Sequence, residues 1–260
     1  MVGLQSFNSD GVEIAYLDAG AETATHPTPV LLIHGFASNH SVNWVSTGWV
    51  DTLVKAGYRV IALDNRGHGR SGKPYSKADY GAPLMAEDAR RLLDHLQISR
   101  AHVIGYSMGA RISAFLVLNH PDRVASVTFS GLGINMVRGM GERGDTIAEA
   151  LEAPDLDAVT SPEGRMFRIF AEQTNSDLKA LAACMRSARV PITADAVNGI
   201  TSPVLVVVGT DDAVAGSPEQ LAALIPGATW FAPEGRDHMK TVGDRGFKTA
   251  VLEFLGRLPS

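Results

Sequence analysis

The run Gly105-Tyr106-Ser107-Met108-Gly109 sets a serine between glycines two residues away on either side. A serine hydroxyl is a poor nucleophile unless a neighbouring base takes its proton. The G-x-S-x-G spacing meets a physical need. Where an apolar strand turns at once into a helix, the corner residue is held in a strained backbone conformation. Side chains two positions either side would then collide. Residues 101–105 read as such a strand and residues 110–119 as such a helix. The helix N-terminus, with its free N–H groups and dipole, favours negative charge beside Ser107. The chemistry expected of Ser107 is attack on an acyl carbon with a covalent intermediate.

That attack needs a base, an acid to orient it, and donors for the oxyanion. In strand–turn–helix sites of this kind the three residues follow the order serine, acid, histidine. The chain has eight histidines, and His238 alone lies beyond His120. It falls in Gly235-Arg236-Asp237-His238-Met239, between the last strand and the last helix. The acid belongs just after the strand at 203–208, where the chain reads Gly209-Thr210-Asp211-Asp212-Ala213. Both aspartates are candidates there, Asp211 also as a turn residue. The acid's task is to hold the imidazole tautomer and stabilise the imidazolium. The backbone N–H of Met108 supplies one oxyanion donor. The loop His34-Gly35-Phe36-Ala37-Ser38 supplies the other through Phe36. Loss of one such donor costs about 3 kcal/mol of barrier stabilisation. His34 itself reads as a buried residue that braces this loop.

The elements that must position these groups are legible as an alternation of short apolar runs and amphipathic stretches. Such alternation signals a largely parallel sheet covered on both faces. A hairpin opens the chain (4–7 and 12–17), and a loop covers 20–29. Strands are expected at 30–33, 59–63, 101–105, 124–130, 203–208 and 229–231. Helices are expected at 44–56, 82–96, 110–119, 218–224 and 243–255. On the helix at 82–96, Asp88, Arg90, Arg91 and Asp94 are assigned to the polar face. The alternation fails from about Gly131 to Ile200, where helical patches at 146–151, 164–172 and 177–189 interrupt the βαβ pattern. The expected organisation is a core of residues 1–132 and 200–260, with a small helical cap at 133–199. It forms one structural domain overall. A cap of that kind lies over the strand ends, where ligands of open α/β sheets bind.

Composition narrows the function classes. The chain has 260 residues, 45% of them hydrophobic and 20% charged, with a formal net charge of −5. That balance does not suit a nucleic-acid surface. No Lys or Arg precedes Lys55, so no basic region leads into an apolar signal segment, and the apolar runs are too short to span a bilayer. The expectations are a cytoplasmic protein with a small-molecule substrate, no nucleic-acid or membrane partner, and no specified oligomeric state. The single cysteine, Cys184, permits no internal disulfide and reads as a buried structural thiol. The histidines and carboxylates lack metal-ligand spacing, and no metal or cofactor is expected.

Taken together, His34-Gly35-Phe36, the run from Leu63 to Ser71, Gly105 to Gly109, Gly209 to Asp212 and Gly235 to His238 resemble the α/β-hydrolase superfamily over nearly the whole chain. The resemblance implies an α/β fold with an eight-stranded, mostly parallel sheet and a helical cap between strands six and seven. It implies Ser107, Asp212 and His238 as a triad, the acid standing three residues past Gly209, with Phe36 and Met108 as oxyanion donors. Arg66 and His68 match a structural turn, so a bracing role is expected of them. Epoxide hydrolases and haloalkane dehalogenases carry an aspartate at the elbow. Ser107 points instead to acyl transfer on a carboxylic ester or lactone of small to medium, apolar character. Carbon–carbon cleavage by the same triad is the alternative, and a slow ligand receptor on this fold ranks last. Phe36, Tyr106, Met140, Phe167 and Phe170 are the candidate substrate-binding residues. Met136, Met166, Ile169, Leu181 and Met185 are further apolar groups of the cap, most of them expected to pack it onto the core. Arg165 and Arg168 are considered for a substrate carboxylate, against the commoner fate of a solvated helix face.

Overall fold

The runs Val30–Ile33, Val60–Leu63 and Val204–Val207 are buried at every position. Strands of this kind are stable only inside a sheet covered on both faces. The computed structural model describes residues 3–139, 141 and 143–258 and contains that sheet. Its strands are β1 (Gln5–Ser9), β2 (Val12–Ala19), β3 (Val30–Ile33), β4 (Val60–Leu63), β5 (Ala101–Tyr106), β6 (Val124–Ser130), β7 (Val204–Val207) and β8 (Thr229–Phe231). The eight strands lie in the order β1-β2-β4-β3-β5-β6-β7-β8. The first two pairings are antiparallel, and all those from β4 to β8 are parallel. The expected fold class is therefore the observed one.

The helices are α1 (Trp49–Lys55), α2 (Ala82–His95), α3 (Met108–Asn119), α4 (Asn135–Arg138), α5 (Arg143–Glu152), α6 (Pro162–Gln173), α7 (Leu178–Met185), α8 (Ala194–Asn198), α9 (Pro218–Ala222) and α10 (Arg245–Gly256). Strand side chains alternate between two cores, as a two-residue period demands. Leu31, Ile33, Val103 and Val127 face the α2/α3 side, whereas Val30, Leu32, Ile104 and Leu205 face α1 and α10. Helices α4 to α8 all fall between β6 and β7. Polar residues set several of their starts. Ser161, Asp177 and Thr193 cap α6, α7 and α8 by accepting the N–H of Gly164, Ala180 and Ala196.

Three local expectations need correction. The helix expected at 44–56 is split into a single π-type turn at Ser41–Val45 and α1, because Gly48 sits at φ 78° between them. The helix expected over 177–189 ends at Met185, and the chain then runs through residues 187–192 without helical structure. Asp88 does not belong to the polar face of α2. It is buried and takes two 2.7 Å hydrogen bonds from Arg66, with a 2.6 Å bond from Ser9 Oγ. No helix among the described residues is long and apolar enough to cross a membrane.

Candidate active site

Strand β5 ends at Tyr106 and α3 begins at Met108, so Ser107 alone makes the corner, at φ 54° and ψ −110°. The flanking glycines are required by contact. A Cβ on Gly105 would lie 2.3 Å from Gly109 O and 2.4 Å from Ser113 Oγ. One on Gly109 would lie 2.0 Å from Ile33 O. Backbone atoms cannot yield that much, so α3 packs against β3 and β5 only with these two residues. The Ser107 N–H is anchored on Ser130 O of β6 at 2.7 Å.

His238 Nε2 stands 3.0 Å from Ser107 Oγ, and His238 Nδ1 stands 2.7 Å from Asp212 Oδ2. A neutral imidazole protonated at Nδ1 donates to Asp212 and presents Nε2 as an acceptor to the serine hydroxyl. Asp212 is itself fixed, because its Oδ1 accepts the N–H groups of Val214 and Ala215 at 2.8 and 2.9 Å. Its carboxylate is fully shielded from solvent. Asp211 is exposed and its Oδ1 accepts from Thr210 Oγ1. The loops carrying Asp212 and His238 touch where Gly209 passes Arg236: a Cβ on Gly209 would lie 2.1 Å from Arg236 O.

The loop after β3 is braced from several sides. His34 Nε2 accepts the Asn65 N–H at 2.9 Å, and its Nδ1 reaches Gly35 O at 2.7 Å, so one neutral tautomer satisfies both contacts. Burial pulls the His34 pKa down to about 4, which keeps that tautomer uncharged. Gly35 N–H donates to Asn43 Oδ1 at 2.8 Å, and Thr174 Oγ1 donates to Ala37 O at 2.8 Å. The second contact ties the segment after α6 to this loop. Among the described residues no protein acceptor takes the backbone N–H of Phe36 or of Met108. His68 is buried and bonded to Arg66 O at 2.9 Å, and Arg66 is committed to Asp88 and Asp79 O.

A cavity of about 500 Å³ opens over Ser107 and His238. Phe36, Tyr106, Phe167 and Phe170 line it, as do Met136 and Met185, while Met140 lies outside the described residues. Met166, Ile169 and Leu181 are not in its wall. Tyr106 is buried and its hydroxyl donates to His238 O, so it also positions the histidine loop. Cys184 borders the cavity, and burial pushes its thiol up to about 12, which keeps it protonated and inert. Sequence reasoning missed Arg111, which lines the same cavity one helical turn beyond Ser107. The arginines it did single out are engaged elsewhere. Arg168 is buried and donates to the carbonyls of Ala150 and Ala153 and to Glu172, and Arg165 donates to Leu156 O.

The family model described as alpha/beta hydrolase fold matches residues 28–152. A structure titled as a hydrolase from Pseudomonas aeruginosa PA01 superimposes with a TM-score of 0.73 at 27% identity, over 98% of each chain. The chain belongs to the alpha/beta hydrolase superfamily. Among curated members, it is 39% identical over 109 residues to the dihydrolipoyllysine-residue acetyltransferase component of the acetoin cleaving system of Pseudomonas putida. That match covers 41% of this chain and 28% of the relative. It is 36% identical over 113 residues to a 2-hydroxy-6-oxononadienedioate/2-hydroxy-6-oxononatrienedioate hydrolase of Escherichia coli O81, covering 40% of this chain and 36% of that one. The alignments thus span about a third of the length of these relatives. Within this alpha/beta hydrolase the family model takes in the elbow and the loop after β3, while Asp212 and His238 lie beyond it.

Proposed function

We propose that the protein is a serine hydrolase that cleaves a carboxylic ester or lactone of a small to medium, largely apolar substrate through an acyl-enzyme. The observation that carries this reading is the relay at the floor of the cavity: 3.0 Å from Ser107 Oγ to His238 Nε2, and 2.7 Å from His238 Nδ1 to Asp212. Ser107 Oγ attacks the acyl carbon as His238 Nε2 takes its proton. The N–H groups of Phe36 and Met108 receive the oxyanion, for which they have no competing protein acceptor among the described residues. His238 then gives the proton to the leaving oxygen, and water activated by the same imidazole frees the acyl group. Asp212 keeps Nδ1 protonated throughout. Residues 133–199 serve as the cap, and Phe36, Phe167 and Phe170 supply the apolar wall against which the acyl chain packs.

The deciding experiment pairs 4-nitrophenyl butyrate turnover with labelling by a fluorophosphonate. Wild-type protein should turn over the ester and take one label at Ser107, and Ser107→Ala should lose both. Full activity in Ser107→Ala would overturn the assignment. Carbon–carbon hydrolysis by the same triad is the second reading, favoured by the likeness to the Escherichia coli hydrolase above. A labelled Ser107 with no activity across an ester and lactone panel would overturn the first reading and favour the second.

A further inference from the structure

Helix α3 reads Met-Gly-Ala-Arg-Ile-Ser-Ala-Phe-Leu-Val-Leu-Asn, and Arg111 is its one charged residue. Its neighbours Ala110 and Ile112 are completely buried. Four residues past Ser107, Arg111 shares the helix face of the nucleophile. Its part-buried side chain lines the same cavity. A cation in such a place is ordinarily paired with a carboxylate. Arg111 is not: among the described residues it forms no ion pair, and no Asp or Glu lines the cavity. Its hydrogen bonds go to two backbone carbonyls, Nη1 to Met136 O at 3.0 Å and Nη2 to Val190 O at 2.6 Å. Both are neutral acceptors that fix the guanidinium in position and leave three of its five donors for a ligand. Burial and the nearby Arg189 disfavour the Arg111 cation, and the Phe115 ring, 5.8 Å from the guanidinium carbon, is a weak counterpart beside a carboxylate, so an incoming anion would relieve a charge that meets no acid among the described residues.

We infer that Arg111 is an anion subsite of the cavity, and that the substrate is an ester or lactone carrying a second, free carboxylate that this guanidinium receives. The inference rests on the hydrolase reading and deepens it. The apolar wall takes the carbon chain, Ser107 meets the acyl carbon, and Arg111 binds the distal carboxylate with the paired geometry that guanidinium and carboxylate share. The subsite would select by charge among substrates of equal length.

The test uses two esters that differ by one methyl group: 4-nitrophenyl hydrogen glutarate and the 4-nitrophenyl ester of monomethyl glutarate. Wild-type kcat/KM should favour the acid at least tenfold. In Arg111→Met that ratio should fall about 10- to 100-fold, mainly through KM, as for loss of a charge-assisted hydrogen bond. Arg111→Lys should retain part of the preference. A second measurement needs no turnover. In Ser107→Ala protein, calorimetry should find monomethyl glutarate bound more tightly than dimethyl glutarate, and adding Arg111→Met should erase the difference. Equal binding of the two probes, or a ratio that Arg111→Met leaves intact, would reduce Arg111 to a brace between α4 and residues 187–192. Failure of Ser107 to label, with the charge preference in binding retained, would overturn the hydrolase reading and leave the anion subsite standing.

Discussion

Asp211 and Asp212 are adjacent, chemically identical and equally placed by the Gly209 turn, yet their surroundings separate them. The Asp212 carboxylate is shielded, takes two backbone N–H bonds and meets His238 at 2.7 Å. The Asp211 side chain is exposed. Asp212→Asn should therefore lower kcat about 10⁴-fold by favouring the wrong imidazole tautomer. Asp211→Asn should stay within a few-fold of wild type. Steady-state kinetics on one activated ester reads both, and a severe loss in Asp211→Asn alone would reverse their roles. Ser107 and His238 were legible because the glycine spacing and the chain order leave little choice. Choosing between the aspartates from residues alone was not possible, because what distinguishes them is a hydrogen bond across 26 residues. Arg111 escaped notice for a related reason. In the sequence it is one cation on a helix, and that it meets no acid among the described residues shows only in three dimensions.

At the scale of elements, α2 shows how a helix can bury a charge. Arg66 and Asp88 are both nearly inaccessible and bonded through two 2.7 Å contacts, and they join the turn after β4 to the middle of α2. Removing one partner strands the other in a dry interior. Asp88→Ala should cost about 3–5 kcal/mol in urea unfolding. A loss below about 1 kcal/mol would mean that water reaches Arg66. Most element positions followed from apolar runs, and β3, β6 and β8 match their expected limits residue for residue. Burial on both faces makes β3 and β6 unmistakable, whereas β8 is a largely exposed edge strand. The placement of Asp88 on a polar face failed because helical period registers which residues share a face. It does not register that an arginine from another turn covers that face. The break at Gly48 was equally silent, since a glycine's left-handed φ is a choice made by the surrounding packing.

At the scale of the whole molecule, several imidazoles are folded in the neutral state. Burial brings His34 down to about 4, His68 to about 3 and His102 to about 4, against 6.5 when free. Between about pH 6.5 and 4 the unfolded chain binds protons at these sites that the folded chain does not, so acidification favours unfolding. Each such site contributes a slope of about 1.4 kcal/mol per pH unit. Asp64, held down to about 2 by His40, His34 and the Arg70 N–H, adds a further loss only below about pH 3.8. Urea midpoints should hold from pH 8 to 7 and then drop steadily toward pH 4.5. An unchanged midpoint at pH 5 would show that these rings are solvated. By itself the sequence determined the sheet class and singled out Ser107 and His238 as the candidate nucleophile and base, because those readings rest on simple rules: strand period, a corner only glycine neighbours allow, and the order of loops along the chain. Only the tertiary structure decided which aspartate meets the histidine, which side chains wall the cavity and that Arg111 stands in that wall with no acid beside it among the described residues. Those are distances between residues far apart in the chain, and packing alone sets them.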